Sequence, residues 1–305
     1  MNKRKTSKPK PLVRFDWAIK RLLRSKVNFG VLEGFLSELL KCKLKIEEVV
    51  ESESNKEDKE DKYNKVDILV KLDNGELVII EVQVNSESDY FYRMLFGVSK
   101  AIVEHIKEGD KYSQIKKVYS VNILYFDLGH GSDYIYHGTT SFTGLNDSSS
   151  LSLNNKQQEF YKRERVYQIH PEYYLIKVNQ FNDIAKNTLD EWIYFLKNEE
   201  IKDSFKAKGL LEAKEKLDYM KLSESERQEY KKYLENMRYQ NSVVDSSFRD
   251  GKIEGKIEGE KAKAIEVAKK MKDAGMVDEI IEQITGLSAE EIYKFFSKDS
   301  VLKKN

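Results

Sequence analysis

The chain has 305 residues, of which 40% are hydrophobic, 11% aromatic and 34% charged, enough apolar material for one sizeable core with something added to it. Lys and Arg number 53 against 52 for Asp and Glu, so net charge points to no polyanionic partner and local distribution must carry that argument. One cysteine, Cys42, excludes an internal disulfide and suits a reducing cytoplasm. No apolar region follows the basic N-terminus and no run approaches about 18 apolar residues, so neither a secretory leader nor a membrane span is expected.

Residues 1–13 carry Lys3, Arg4, Lys5, Lys8 and Lys10 among two prolines and read as a disordered basic arm. From Asp16 the pattern turns helical, through "DWAIKRLLRSK" and "FGVLEGFLSELLKCKL". In the second run Leu32, Phe35, Leu36, Leu39 and Leu40 recur at helical spacing. Cys42, inside that run, reads as a buried inert thiol. The acidic "EEVVESESNKEDKEDK" (47–62) reads as a solvated loop leading to "KVDILVKLDNGELVIIEVQV" (65–84), two apolar strands around a turn.

Beyond the hairpin, "SDYFYRMLFGVSKAIVEHIKEG" predicts a helix ending at Gly109. "KKVYSVNILYF" (116–126) predicts an inner strand, and "SDYIYHGTT" and "VYQIHPEYYLIKV" two more. Residues 14–182 therefore read as an α/β core with a mixed sheet flanked by helices. Residues 183–248 read as a helical extension, with "FNDIAKNTLDEWIYFLKN" as one amphipathic helix. Residues 249–305 open on "GKIEGKIEGE", whose glycines at 251, 255 and 259 suit a weak helix or a hinge. The tail closes on "VDEIIEQITGLSAEEIYKFF", where Gly286 is a helix stop and Ser288 with Glu291 a capping box. Its two short helices resemble a helix-turn-helix, although such pairs are also generic packing units.

The turn decides what the hairpin can do. Asp73, Asn74 and Gly75 suit a three-residue loop, a type I turn closed by a left-handed glycine. In that register Leu72 pairs with Glu76 and Asp67 lies opposite Glu81. Val66, Ile68, Val70 and Leu72 then share a wholly apolar face with Val78, Ile80, Val82 and Val84. Slipping by one residue would bury Glu81 and Gln83 among valines instead. Opposed carboxylates repel, so either one holds a raised pKa or a cation sits between them. Two hard oxygen donors suit Mg²⁺ or Mn²⁺. Gln83 projects from the same face, where its amide can orient a water without accepting a proton. A hairpin with one solvated face is the alternative, but Leu69, Leu77 and Ile79 on the carboxylate face favour half-burial.

An Asp in one strand, a short turn, then Glu-X-Lys or a variant in the next strand is the signature of the PD-(D/E)XK nucleases. With Asp67 and "EVQ" at 81–83, the chain resembles their recombination-promoting nuclease and transposase (Rpn) branch, which carries Glu-X-Gln. "FDWAIKRLL", "FYRMLFGVSKAIVEHIKEGDKYSQIKKVYSVNIL", "DEWIYFLKN" and "ITGLSAEEI" share the likeness, which covers roughly residues 14–295. The resemblance implies a PD-(D/E)XK-type sheet core and a Mg²⁺-dependent DNA endonuclease, with Mn²⁺ as substitute, acting in recombination or transposition-like DNA mobility.

It further implies that Asp67 and Glu81 hold the metal, with the Val82 carbonyl as a further ligand, and that Gln83 stands in the place of the usual lysine. Glu33 on the first long helix would add a carboxylate, or be an exposed helix residue. Arg93 would contact phosphate, or be a packed surface arginine. Lys20, Arg21, Arg24 and Lys26, with the basic arm, would lend sequence-independent backbone affinity for DNA, or be solvated helix charge. Two other classes stay open: a catalytically degenerate nuclease fold acting as a DNA-binding or regulatory protein, and a homo-oligomerisation module in the C-terminal helices.

Overall fold

The computed structural model describes residues 12–50 and 67–301, and the side chains of residues 296–301 are not among those described. The basic arm up to residue 11, Val66 and the acidic residues 51–62 lie outside these ranges. Two compact units divide at Tyr230 and Lys231, between the boundaries read from sequence at 182/183 and 248/249.

The first unit is an α/β fold. Helices α1 (Phe15–Arg21) and α2 (Phe29–Leu40) precede β1 (Ile46–Val50), the hairpin strands β2 (Ile68–Leu72) and β3 (Leu77–Gln83), and helix α3 (Tyr90–Glu104). β4 (Val118–Leu124), β5 (Ile135–Gly138), α4 (Asn155–Tyr161), β6 (Glu172–Lys177), α5 (Thr188–Asn198) and α6 (Leu210–Lys216) follow. The strands form one mixed sheet in the order β1-β2-β3-β4-β6-β5. β3, β4 and β6 run parallel, and the outer pairings are antiparallel. The inner position of β4 accounts for its Val118, Val121, Ile123 and Leu124, all buried.

Both faces of the sheet are buried. On one, Leu69, Leu77, Ile79 and Val118 pack with Val98 and Ala101 of α3. On the other, Val70, Val78, Ile80, Val121 and Ile123 are inaccessible or nearly so. Phe15, Phe35, Trp192 and Phe195 join α1, α2 and α5, with ring centroids 5.5–6.2 Å apart. Helices expected in a separate extension thus contribute to the same core. Where α2 meets the loop before α6, two glycines let the backbones touch: a Cβ on Gly34 would lie 2.5 Å from the Lys208 carbonyl oxygen and 2.6 Å from Gly209 Cα.

Several elements depart from the sequence expectations, each for a local reason. Residues 47–50 form an edge strand rather than a loop. Glu47 and Glu48 face Lys71 of β2 (2.7 and 3.5 Å) and keep the sheet edge charged. The helix expected from residue 181 begins only at Thr188, because the Asn187 side chain caps it by accepting from the Asp190 N–H at 3.0 Å. α3 stops at Glu104 rather than at Gly109. Cys42 is exposed, not buried, since α2 ends at Leu40 and Lys41 turns left-handed. Leu12 and Val13, assigned to the arm, are buried.

The second unit comprises most of α7 (Glu224–Asp273), α8 (Asp278–Thr285) and α9 (Ala289–Val301). The Gly-Ile-Glu repeat lies inside α7 with no break, so it is helix and not hinge in this structure. Ala268, Met271, Ile281, Leu287 and Ile292 form this unit's small core. Gly286 is left-handed at the end of α8, and Ser288 and Glu291 cap α9 reciprocally (3.1 and 3.3 Å). α9 opens with Glu290 and Glu291, a charge that opposes a phosphate backbone and favours the packing reading of this helix pair over the DNA-reading one. Among the described residues no helix is long and apolar enough to cross a membrane.

Gly34→Ala should lower the unfolding free energy by about 1–3 kcal/mol through backbone overlap, read as a urea midpoint. An unchanged midpoint would mean that α2 moves away from Gly209 freely.

Candidate active site

The hairpin turn forms as its residues dictate. Gly75 adopts φ +82°, its N–H donates to the Leu72 carbonyl at 2.9 Å, and Leu72 N–H donates to the Glu76 carbonyl at 2.8 Å. Ile68 therefore faces Ile80, and Leu69 faces Ile79. One step further along the same register lie Asp67 and Glu81.

Asp67 is held at three atoms. Its Oδ2 accepts the Val82 N–H at 2.7 Å, its Oδ1 sits 2.9 Å from Lys20 Nζ, and its carbonyl accepts from Arg24 Nη2 at 2.6 Å. Glu81 is 7% exposed, with Oε2 3.5 Å from Arg93 Nη2. Arg93 Nη1 donates to Glu87 at 2.9 Å, and Glu87 also accepts from Gln83 Nε2 at 2.5 Å. Behind Glu81, its β4 neighbour Asn122 accepts from the Tyr90 hydroxyl at 3.0 Å.

Electrostatics follow from that packing. Burial, then the Asp67 charge, pushes the Glu81 carboxyl up to about 8, while Arg93 and Lys20 pull against it. Burial and the Glu81 charge likewise raise the Tyr90 hydroxyl. Three cations, Lys20, Arg24 and Arg93, border the pair, and burial still outweighs them at Glu81.

The structure thus brings together Asp67, Glu81, Val82, Gln83, Lys20, Arg24 and Arg93. It does not bring Glu33 or Arg21 to them. Glu33 accepts the Ile46 N–H at 2.8 Å, and Ile46 pairs with Leu72 at the turn end of the hairpin, away from Asp67. Arg21 lies 3.7 Å from Glu229. Glu87 and Asn122 escaped the sequence reading. Glu87 sits in the acidic "NSESD" loop, where its spacing from Gln83 and Arg93 gives no strand or helix signal. Asn122 and Ser120 are buried polar residues inside a largely apolar strand, and that pattern is the signal that points to Asn122.

Comparison with known proteins gives one finding. A family model described as PD-(D/E)XK nuclease family transposase matches residues 13–247. No curated protein and no solved structure matches the chain.

The raised Glu81 pKa has a testable sign. A carboxyl that titrates near 8 when folded and near 4.5 when unfolded binds its proton preferentially in the folded chain. Its contribution is whole below about pH 4.5 and is lost as pH rises towards about 8. In EDTA, denaturant midpoints should fall over that window for the native chain and stay flatter for Glu81→Gln, a difference on the order of a few kcal/mol. Parallel pH profiles would mean that Glu81 ionises normally.

Proposed function

The chain belongs to the PD-(D/E)XK nuclease family transposases, and from that membership we propose that it is a Mg²⁺-dependent DNA endonuclease that hydrolyses phosphodiester bonds in recombination or transposition-like DNA mobility. The observation that carries the proposal is the opposed Asp67/Glu81 pair, Asp67 half-buried and Glu81 buried with its carboxyl driven up to about 8. Such a pair is stabilised by a divalent cation more than by water.

The donor set fits that cation. Among the described residues no three His, Cys, Asp or Glu gather into a metal cluster. Mg²⁺ needs few protein ligands and keeps its waters, so Asp67, Glu81 and the Val82 carbonyl are the set we assign to it, with Mn²⁺ as substitute. Bound there, the ion would supply Lewis-acid polarisation of the scissile phosphate and a lowered pKa for an attacking water.

The chain's own groups divide the remaining work. Lys20, with a side chain 51% exposed, and Arg24 are cations at the pair that can also meet a backbone phosphate. Arg93 holds Glu81 and Glu87 in place and offers its remaining donors to the strand. Gln83, tethered to Glu87, orients a water through its amide, and being neutral it offsets developing charge less than an ammonium would. That same neutrality favours the second reading, a nuclease fold that binds DNA without cutting it. DNA is the partner in both readings.

Supercoiled plasmid should be nicked in Mg²⁺ or Mn²⁺ and not in EDTA, with nicking lost in Asp67→Ala, Glu81→Ala and reduced about 10²-fold in Gln83→Ala. Mg²⁺ at about 100 times its Kd should raise the unfolding free energy by about 2.7 kcal/mol in the native chain and not in that double variant. Intact DNA binding with neither cleavage nor a Mg²⁺ effect on stability would establish the non-catalytic reading instead.

A further inference from the structure

A cavity of about 440 Å³ opens where β3, β4 and β6 begin, lined in part by Glu76, Lys117 and Pro171. Glu81 lies roughly 15–20 Å farther along β3 from Glu76, so this is a separate place on the sheet. Its volume falls in the range of small-molecule sites, roughly 300–1,000 Å³.

The charges at its floor are largely balanced. Glu76 is paired with Arg163 and accepts from Asn74 Nδ2 at 3.0 Å. Lys117 donates to Glu172 at 2.8 Å and to the Tyr167 carbonyl at 3.0 Å, and also reaches the His170 carbonyl. Two sets of donors are left over. Lys116 lines the cavity beside the Gly75 turn and has no ion pair or hydrogen bond among the described residues. Arg163, with a side chain 37% exposed, gives only Nη2 to Glu76, so the other two guanidinium nitrogens have no partner among the described residues.

The rim is aromatic and unusually open. Tyr112 is 88% and Phe160 67% exposed. The Phe160 and Tyr161 rings meet edge to face at 5.1 Å. Burying such rings would be favourable, and none of the described residues does so. Gln168 adds an amide to the wall. Planar apolar surface, an uncommitted ammonium and a guanidinium fork together match one ligand chemistry, a flat heteroaromatic ring joined to a phosphate.

We propose that this cavity binds a nucleoside monophosphate unit, its base against the rim of Tyr112, Phe160 and Tyr161 and its phosphate at Lys116 and Arg163. The unit is either a free nucleotide or the 5′-phosphorylated end of a single strand; the recognising chemistry is the same. The proposal does not rest on the Asp67/Glu81 reading, because it concerns binding alone at the other end of the sheet.

The test is titration calorimetry on the full chain in EDTA, using the four mononucleotides, adenosine, inorganic phosphate and a 5′-phosphorylated single-stranded oligonucleotide. At least one mononucleotide or the oligonucleotide should bind saturably and more tightly than adenosine or phosphate alone. Lys116→Ala and Tyr112→Ala remove exposed side chains that hold nothing else in the fold, and each should weaken binding about fivefold or more with an unchanged melting temperature. An oligonucleotide that competes with the mononucleotide assigns the site to a strand end; a mononucleotide that binds without such competition assigns it to a free nucleotide. No saturable binding of either, or affinities unchanged in both variants, overturns the proposal.

Discussion

Asp73, Asn74 and Gly75 decide which side of the sheet every side chain from Ile68 to Gln83 occupies, since a strand has a period of two and a slip of one residue exchanges its faces. With Gly75 left-handed at φ +82°, one face of the hairpin is wholly apolar and the other brings Asp67 to Glu81. Everything distinctive about the first unit builds on that register. β4 lies parallel to β3 with Asn122 beside Glu81, and α3 covers the aliphatic half of the same face through Val98 and Ala101. The carboxylates are therefore half inside a core that was assembled for other reasons.

That setting explains the arrangement of charge. Glu81 is buried beside Asp67, and the fold answers with cations from different elements: Lys20 from α1, Arg24 from the segment after it, and Arg93 from α3. Glu87 then pins both Arg93 and Gln83. Burial and the Asp67 charge nevertheless outweigh Arg93 and Lys20 and hold the Glu81 carboxyl up, at about 8. A buried carboxyl displaced this far, beside a second carboxylate, is the feature on which the proposed cation site rests.

How much of this was legible in the sequence depends on how local each signal is. The hairpin register, the shared face of Asp67 and Glu81 and its half-burial follow from turn chemistry and alternation within one short segment. So do the Gly286 stop and the Ser288–Glu291 cap. What escaped depends on partners distant in the chain. β1 looks like the start of an acidic loop until Lys71 is placed across from Glu47 and Glu48. Glu33 looks like a spare carboxylate until Ile46 is placed against it, because helical spacing names a face but not which end of a strand the face meets. α5 and α6 read as an extension because no sequence pattern reveals that Trp192 and Phe195 meet Phe15 and Phe35.

The glycines of α7 have a mechanical consequence. Gly251, Gly255 and Gly259 stand one turn apart with nothing within 4 Å of where a side chain would begin, while Ile253 and Ile257 are both exposed. Water therefore reaches that strip of backbone, and each glycine costs the helix about 1 kcal/mol relative to alanine. The rod is continuous but not uniformly strong. A pulling force would meet little side-chain resistance along this strip, where no packing reinforces the backbone hydrogen bonds.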